Sequence, residues 1–466
     1  MDSSPNVEEH NIRRIRVLLF PWLAHGHISP FLELAKRFAQ RNFNTYLCST
    51  PINLSSIKDK LSRDQQPENT LIQLIELNLP SLPNLPPHYH TTKSLPPHLM
   101  QTLKKAFDLS APSFSDILST IKPNLLVYDF IQPWAPSLAS QLNIPAVQLL
   151  TTGAAFTSFC FHLYEKSPDT KFPFPSLYIP NYVNRTFIER ASSPEGIEDR
   201  YRFTQCVDKS IDVVLINTFK EIEEKYLDYL SCVYGKEFVP IGPLVQTDTD
   251  STSCEMNKFS EWLVNKEISS VVFVSVGTEY FMSKEEIQEV AYGLELSEVN
   301  FIWVIRFPDN HEGDVGLAQV LPKGFMERIG EKGIVVEKWA PQAKILGSSK
   351  IGGFVSHCGW NSVLESMKYS VPIIAMPMHL DQPVNARLVV ELGLGVEVKR
   401  DKDGKLDRRE IREVIRKVLM GKEGMEVKRN AVEMSEMMRH KGNKDIELLV
   451  QKFERLCDKG RTRNEQ

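Results

Sequence analysis

Two histidines, His25 and His27 in the run FPWLAHGHISP, stand directly after the first apolar, strand-like segment of the chain. Imidazole is the only side chain whose unperturbed pKa is near neutrality, which makes it the natural base for taking a proton from an alcohol. A base so placed is worth typically about 10²- to 10⁴-fold in rate. It needs a carboxylate to hold its tautomer, and Asp129, closing the apolar run of LLVYDF, offers one at the end of another strand. In isolation Asp129 would serve equally as a helix N-cap. His25 reads as the partner without chemistry, lining the cleft or capping the loop.

A second set of suitable groups lies between Trp339 and Gln382. Within it, FVSHCGWNSVLESM reads as a strand over Gly353 to Ser356, a turn at His357, Cys358 and Gly359, and a helix from about Trp360. In open parallel sheets ligands sit beyond the carboxyl ends of strands, and N–H groups at a helix N-terminus hold phosphate. A pyrophosphate there would meet the helix dipole, the amides near Asn361 and Ser362, and the His357 imidazole. The dipole contributes roughly 0.3 to 2 kcal/mol per charge, so hydrogen bonds must carry most of the affinity. Glu365 falls one turn after Asn361 on the same face, where a carboxylate can accept both hydroxyls of a ribose. Taken alone, Glu365 is a solvated surface residue and Trp339 a core or staple residue before its proline.

Together these residues resemble the signature box of the plant family 1 UDP-sugar-dependent glycosyltransferases, matched from Trp339 to Gln382 without insertion or deletion. The resemblance continues through FPWLAHGHISPFLELAKRF, KFPFP, GPLV, FVSVGTEYFMSKEE, FIWVIRFP and MHLDQPVNA, over nearly the whole chain. It implies an α/β fold of two doubly wound Rossmann-like domains facing a cleft, the GT-B type. It makes His27 the base, by the spacing Gly26-His27-Ile28-Ser29-Pro30, and Asp129 its orienting carboxylate. On the donor side it implies that Trp339, Ala340 and Gln342 meet the uracil, that His357, Asn361 and Ser362 meet the diphosphate, and that Glu365 meets the ribose. Trp360, Asp381 and Gln382 would contact the transferred sugar, with Gln382 favouring glucose. Gly277 and Thr278 would flank the diphosphate, the glycine permitting close backbone approach. Thr151 matches a position whose hydroxyl approaches the donor sugar, although it reads equally as a helix cap.

The activity implied is that of an inverting, metal-independent UDP-glycosyltransferase with UDP-glucose as co-substrate and no cofactor. The same runs resemble the subgroup that extends a sugar already present on a flavonoid or terpenoid glycoside. Glucosylation of the aglycone is the alternative, and a silent nucleotide-sugar-binding protein a more distant one that retention of His27 and Asp129 argues against. No GxGxxG follows the first strand, as a nicotinamide oxidoreductase would require. Asp248-Thr249-Asp250 spells a metal motif of a different glycosyltransferase architecture, but it lies in a polar linker with no apolar strand before it.

These residues must be carried by elements, and the chain supplies them. Apolar runs of strand length alternate with amphipathic helical stretches, the pattern of parallel α/β sheets. Strands are expected at Ile15 to Phe20, Thr45 to Cys48, Ile72 to Leu77, Leu125 to Tyr128, Ala146 to Leu150, Val213 to Asn217 and Phe238 to Gly242. The alternation restarts at Val271 to Val276, Phe301 to Ile305, Ile334 to Val336, Gly353 to Ser356, Ile373 to Ala375 and Val396 to Lys399. A helix is expected from Pro30 to Gln40, its proline in the first turn, and another from Lys284 to Leu296. The expected division is an acceptor and catalytic-base domain over 1–245, a linker over 246–257, a UDP-sugar domain over 258–442, and a C-terminal helix over 443–466 packing back on the first domain. The proline-rich stretch Leu79 to Pro97 is expected as a surface loop, either lining the cleft or merely connecting.

Composition narrows the partners. With 55 Lys and Arg against 59 Asp and Glu, and no basic stripe interleaved with aromatics, nucleic acid is not expected. Seven scattered cysteines fit a reducing cytosol. The N-terminus is polar and acidic before its arginines, unlike a leader, and no apolar run reaches the ~18 residues of a membrane span. A cytoplasmic monomer without stable membrane insertion is the expectation.

Overall fold

Short apolar runs, buried almost throughout, pair into two parallel sheets covered by helices on both faces, which is why their strands lack the polar alternation of a half-exposed sheet. The computed structural model describes residues 14–63, 67–165, 170–245, 254–307, 316–337 and 339–464. The first sheet comprises β1 (Arg16–Phe20), β2 (Asn44–Ser49), β3 (Ile72–Glu76), β4 (Leu125–Tyr128), β5 (Ala146–Leu150), β6 (Val213–Ile216) and β7 (Glu237–Pro240). Their order is β3-β2-β1-β4-β5-β6-β7, every pairing parallel. The second comprises β8 (Val271–Ser275), β9 (Asn300–Ile305), β10 (Gly333–Glu337), β11 (Ile351–Ser356), β12 (Ile373–Ala375) and β13 (Gly395–Glu397), ordered β10-β9-β8-β11-β12-β13 and again parallel. Strand order reverses between β1 and β4 in one sheet and between β8 and β11 in the other. Those are the crevices where this architecture binds ligands.

Two expectations about helices need correction. The first helix is His25–Ala39, so Pro30 stands inside it and not in its opening turn. That turn forms regardless, because His27 and Ile28 donate to the Ala24 carbonyl at 2.9 Å and neither bond needs a proline N–H. The helix Cys254–Val264 begins inside the stretch read as linker, while Asp248-Thr249-Asp250 falls outside the described residues. The helix expected from Lys284 is present as Lys284–Ser297, started by a capping box between Ser283 and Glu286.

The C-terminal helix, Lys422–Asn464, starts well before the expected boundary at 443 and runs over both halves. Its Ala431, Met434 and Met438 join an interdomain cluster with Val363, Leu364 and Met367. Further along, Ile446, Leu449 and Phe453 are buried in the first domain's core, where Phe453 lies 5.5 Å from the Phe38 ring. The proline-rich stretch is tied to the mouth of the first sheet: Thr50 Oγ1 donates to the His90 carbonyl at 2.7 Å, and Thr92 N to the Leu23 carbonyl at 3.1 Å.

Candidate active site

Both reversal points carry the residues singled out by their chemistry. At the first, β1 leads to His27 and β4 ends on Asp129, which is fully buried. Asp129 Oδ2 accepts from the Trp22 amide at 3.0 Å and Oδ1 from the Phe130 amide at 2.8 Å, so the carboxylate is fixed by backbone. His27 Nδ1 lies 2.8 Å from Asp129 Oδ2 and 2.9 Å from Thr151 Oγ1. A carboxylate only accepts, so Nδ1 carries the hydrogen and Nε2 presents a lone pair. Burial pulls the His27 pKa down, but Asp129, with Glu279 and Asp381 behind it, overcomes this and leaves it raised. Phe130 stacks on the imidazole at 5.3 Å, and 19% of the His27 side chain stays open to the cleft. The Thr151 hydroxyl also engages the base, because β5 lies beside β4 and places Thr151 next to the end of that strand. His25 is exposed in the first turn of the helix.

At the second reversal point β11 ends on Ser356, and the turn at Cys358, with φ of 65°, feeds the helix Trp360–Lys368. His357 is half-buried between two glycines; a Cβ on Gly277 or on Gly359 would stand 2.5 Å from its Nε2. Gly277 is thus required to make room for the imidazole. Burial, then the neighbouring His379, lowers the His357 pKa to about 3, so the ring is neutral. Its Nδ1 is buried and has no partner. An orphaned ring nitrogen beside the free amides of a helix N-terminus fits an anion such as a diphosphate. Thr278 follows Gly277 and is half-buried.

Further along that helix, Gln342 Nε2 donates to Ser362 Oγ at 3.0 Å and to Glu365 Oε2 at 2.7 Å. The Gln342 amide, expected beside the base, meets the nearest carboxylate and hydroxyl here and so orients Glu365. Ser362 is tied into the same group, leaving its backbone amide for a diphosphate. Trp339 is 53% exposed and available for stacking, while Ala340 is buried, its carbonyl accepting the Gln342 N–H at 2.9 Å.

Asp381 Oδ2 accepts from Asn385 Nδ2 at 2.7 Å, and burial lifts the Asp381 pKa to about 6. Gln382 Oε1 accepts the Met378 and His379 amides, each at 3.0 Å, so only its NH₂ end remains for a sugar hydroxyl. The Trp360 indole does not reach the site. It is 3% exposed, lies 3.2 Å from where a Gly153 Cβ would be, and donates to the Asn217 carbonyl at 2.7 Å. An apolar ring with one satisfied N–H is better placed in the interdomain core than over a polar sugar.

Several contacts were missed. Glu279, next to Gly277 and Thr278, accepts from Thr92 Oγ1 at 2.9 Å across the cleft. Asn361 Nδ2 donates to the Gly26 carbonyl at 2.8 Å. Tyr226 Oη donates to Glu391 Oε2 at 2.8 Å, and Lys225 pairs with the same carboxylate, anchoring the far end of the Gln382–Glu391 helix to the first domain. No sequence pattern announces such pairs. Among the described residues no three His, Cys, Asp or Glu side chains group as metal ligands. No described helix is long and apolar enough to cross a membrane.

Comparison with known proteins adds a pattern to this geometry. A family model for UDP-glucoronosyl and UDP-glucosyl transferases matches residues 205–454, and one for a glycosyltransferase N-terminal domain matches residues 13–246. UDP-glucosyltransferase 29 of Panax ginseng is 50% identical over 447 residues, covering 96% of this chain and 98% of its own length. The β-D-glucosyl crocetin β-1,6-glucosyltransferase of Gardenia jasminoides is 47% identical over 412 residues, covering 87% and 91%. The crystal structure of Glycyrrhiza uralensis UGT73P12 with glycyrrhetinic acid 3-O-monoglucuronide superposes with a TM-score of 0.83 at 23% identity, covering 97% and 98%.

Proposed function

Because this chain belongs to the UDP-glucuronosyl and UDP-glucosyl transferase family and is a UDP-glycosyltransferase of GT-B fold, we propose that it moves glucose from UDP-glucose onto a sugar hydroxyl of a plant flavonoid or terpenoid glycoside, with inversion and without a metal or cofactor. His27 Nε2 takes the acceptor proton. The freed oxygen attacks the anomeric carbon as its bond to the diphosphate oxygen breaks, and a β-glycoside and UDP result. Asp129 and Thr151 hold the Nδ1–H and stabilise the imidazolium formed. The charge growing on the leaving diphosphate meets the amides opening the Trp360–Lys368 helix and the neutral His357 ring.

The observation that carries this reading is the pairing of a His27–Asp129 dyad, open to the cleft through His27, at one reversal point with an anion platform at the other. Glu365, oriented by Gln342, suits the ribose, and exposed Trp339 suits the uracil. Asp381 accepts and Gln382 donates toward the glucose hydroxyls. A glycoside acceptor is favoured because the Gardenia relative is described as acting on a glucosyl compound. We infer further that the enzyme works as a cytoplasmic monomer.

The test pairs an aglycone with its monoglucoside. Each is incubated with UDP-glucose while UDP release and product mass are followed. The monoglucoside is expected to gain a hexose; transfer to the aglycone alone overturns the acceptor assignment.

A further inference from the structure

We propose that Asn361 is a positioning residue for the base: its side-chain amide holds the first turn of the His25–Ala39 helix at a set place relative to the diphosphate platform. The proposal rests on the reading of His27 as the base. Pro30 lies within that helix and has no N–H, so the Gly26 carbonyl is denied the donor that residue i+4 normally supplies. Gly26 is the residue immediately before His27. The missing donor comes from the other domain, as Asn361 Nδ2 at 2.8 Å.

The orientation of this amide follows from chemistry, because only an NH₂ end can meet a carbonyl. Asn361 Oδ1 is left buried and without a partner. A residue serving the diphosphate alone would turn its donating end to the anion and leave no acceptor stranded. Asn361 spends its donor on Gly26 instead. It sits in the first turn of the Trp360–Lys368 helix, whose backbone amides face the leaving group, so this one bond runs from the leaving-group platform to the peptide that carries the base. The joints at Trp360 with Asn217, Thr92 with Glu279 and Tyr226 with Glu391 hold the domains together elsewhere. The Asn361 bond sets the height of His27 against the anomeric carbon, where a displacement of about 1 Å costs up to ~100-fold in rate.

The test is a double-mutant cycle between Asn361 and Pro30, read as the single-turnover rate at saturating UDP-glucose with whichever of the aglycone and monoglucoside above is turned over, beside UDP affinity by calorimetry. Asn361→Ala is expected to lower the rate about three- to tenfold, the worth of one hydrogen bond. UDP affinity should stay within about twofold of the parent, since the backbone amides remain. Pro30→Ala returns an N–H to the Gly26 carbonyl. In that background Asn361→Ala should cost less than about twofold, the non-additivity expected of coupled residues. An equal loss in both backgrounds overturns the proposal, as does a loss confined to UDP affinity. Should Asn361→Ala melt below the assay temperature, Asn361→Ser, too short to reach Gly26, carries the same expectation. His27→Ala measured alongside separates the two claims: full turnover there removes the base reading, whereas an inactive His27→Ala with no Asn361–Pro30 coupling removes the positioning role alone.

Discussion

Replacing Gly277 by alanine tests the donor platform at its tightest point. Gly277 has φ of +82°, and an added Cβ would stand 2.5 Å from His357 Nε2 and 2.8 Å from Cε1. The ring cannot retreat toward Gly359, which closes on it equally tightly, so it must leave its slot. Two effects then combine. A left-handed alanine costs roughly 1–2 kcal/mol of stability. Losing a hydrogen bond to a charged diphosphate costs about 1.5–3 kcal/mol of binding, roughly 10- to 150-fold in Kd for UDP. Gly235 separates them, because its φ is +62° and nothing lies within 4 Å of its added Cβ. Both variants should melt earlier than the parent, but calorimetry should find weaker UDP binding only in Gly277→Ala, with Gly235→Ala within about twofold of the parent. Equal UDP affinity in the two variants would refute the role given to His357.

Two further outcomes follow from the same geometry. His27→Ala should lower kcat by about 10²- to 10⁴-fold while UDP binding is unchanged, since the imidazole serves the acceptor proton and not the nucleotide; near-normal turnover would sink the base assignment. Burial raises Asp381 to about 6, so its carboxylate is ionised above that pH and protonated below it. The ionised form is the better acceptor of sugar hydroxyls, so KM for UDP-glucose should climb as pH falls through 6. UDP affinity should not follow, because UDP lacks the transferred glucose that Asp381 would hold and His357, pulled to about 3, stays neutral throughout. Asp381→Asn should flatten the KM profile, and an unchanged profile in that variant would assign the titration elsewhere.

Much of this site was readable because its parts are local. A strand, a turn and a helix N-terminus lie within the few residues from Ile351 to Trp360, and the His27 motif sits beside the strand that presents it. What escaped was side-chain direction across long separations. Thr151 reaches His27 over 124 positions and Trp360 reaches Asn217 over 143, contacts that no local motif announces. Gln342 shows the same at shorter range, since its partner is a carboxylate 23 residues away. The sequence expects the first helix to begin at Pro30, because a proline suits a first helical turn and has no N–H for the carbonyl four residues earlier. Here a side chain 335 positions away supplies the donor, and no local rule anticipates it.

The long C-terminal helix bears on how these enzymes are recombined. Its final turns, through Ile446, Leu449 and Phe453, complete the core of the acceptor domain, although they follow the nucleotide-sugar domain in the chain. The two halves are therefore not separable cassettes. A chimera that exchanges nucleotide-sugar domains between relatives by a single crossover in the linker imports a foreign plug for the other half's core. Two crossovers, the second after Met438 and before Ile446, would return that plug to the domain it was shaped to fill.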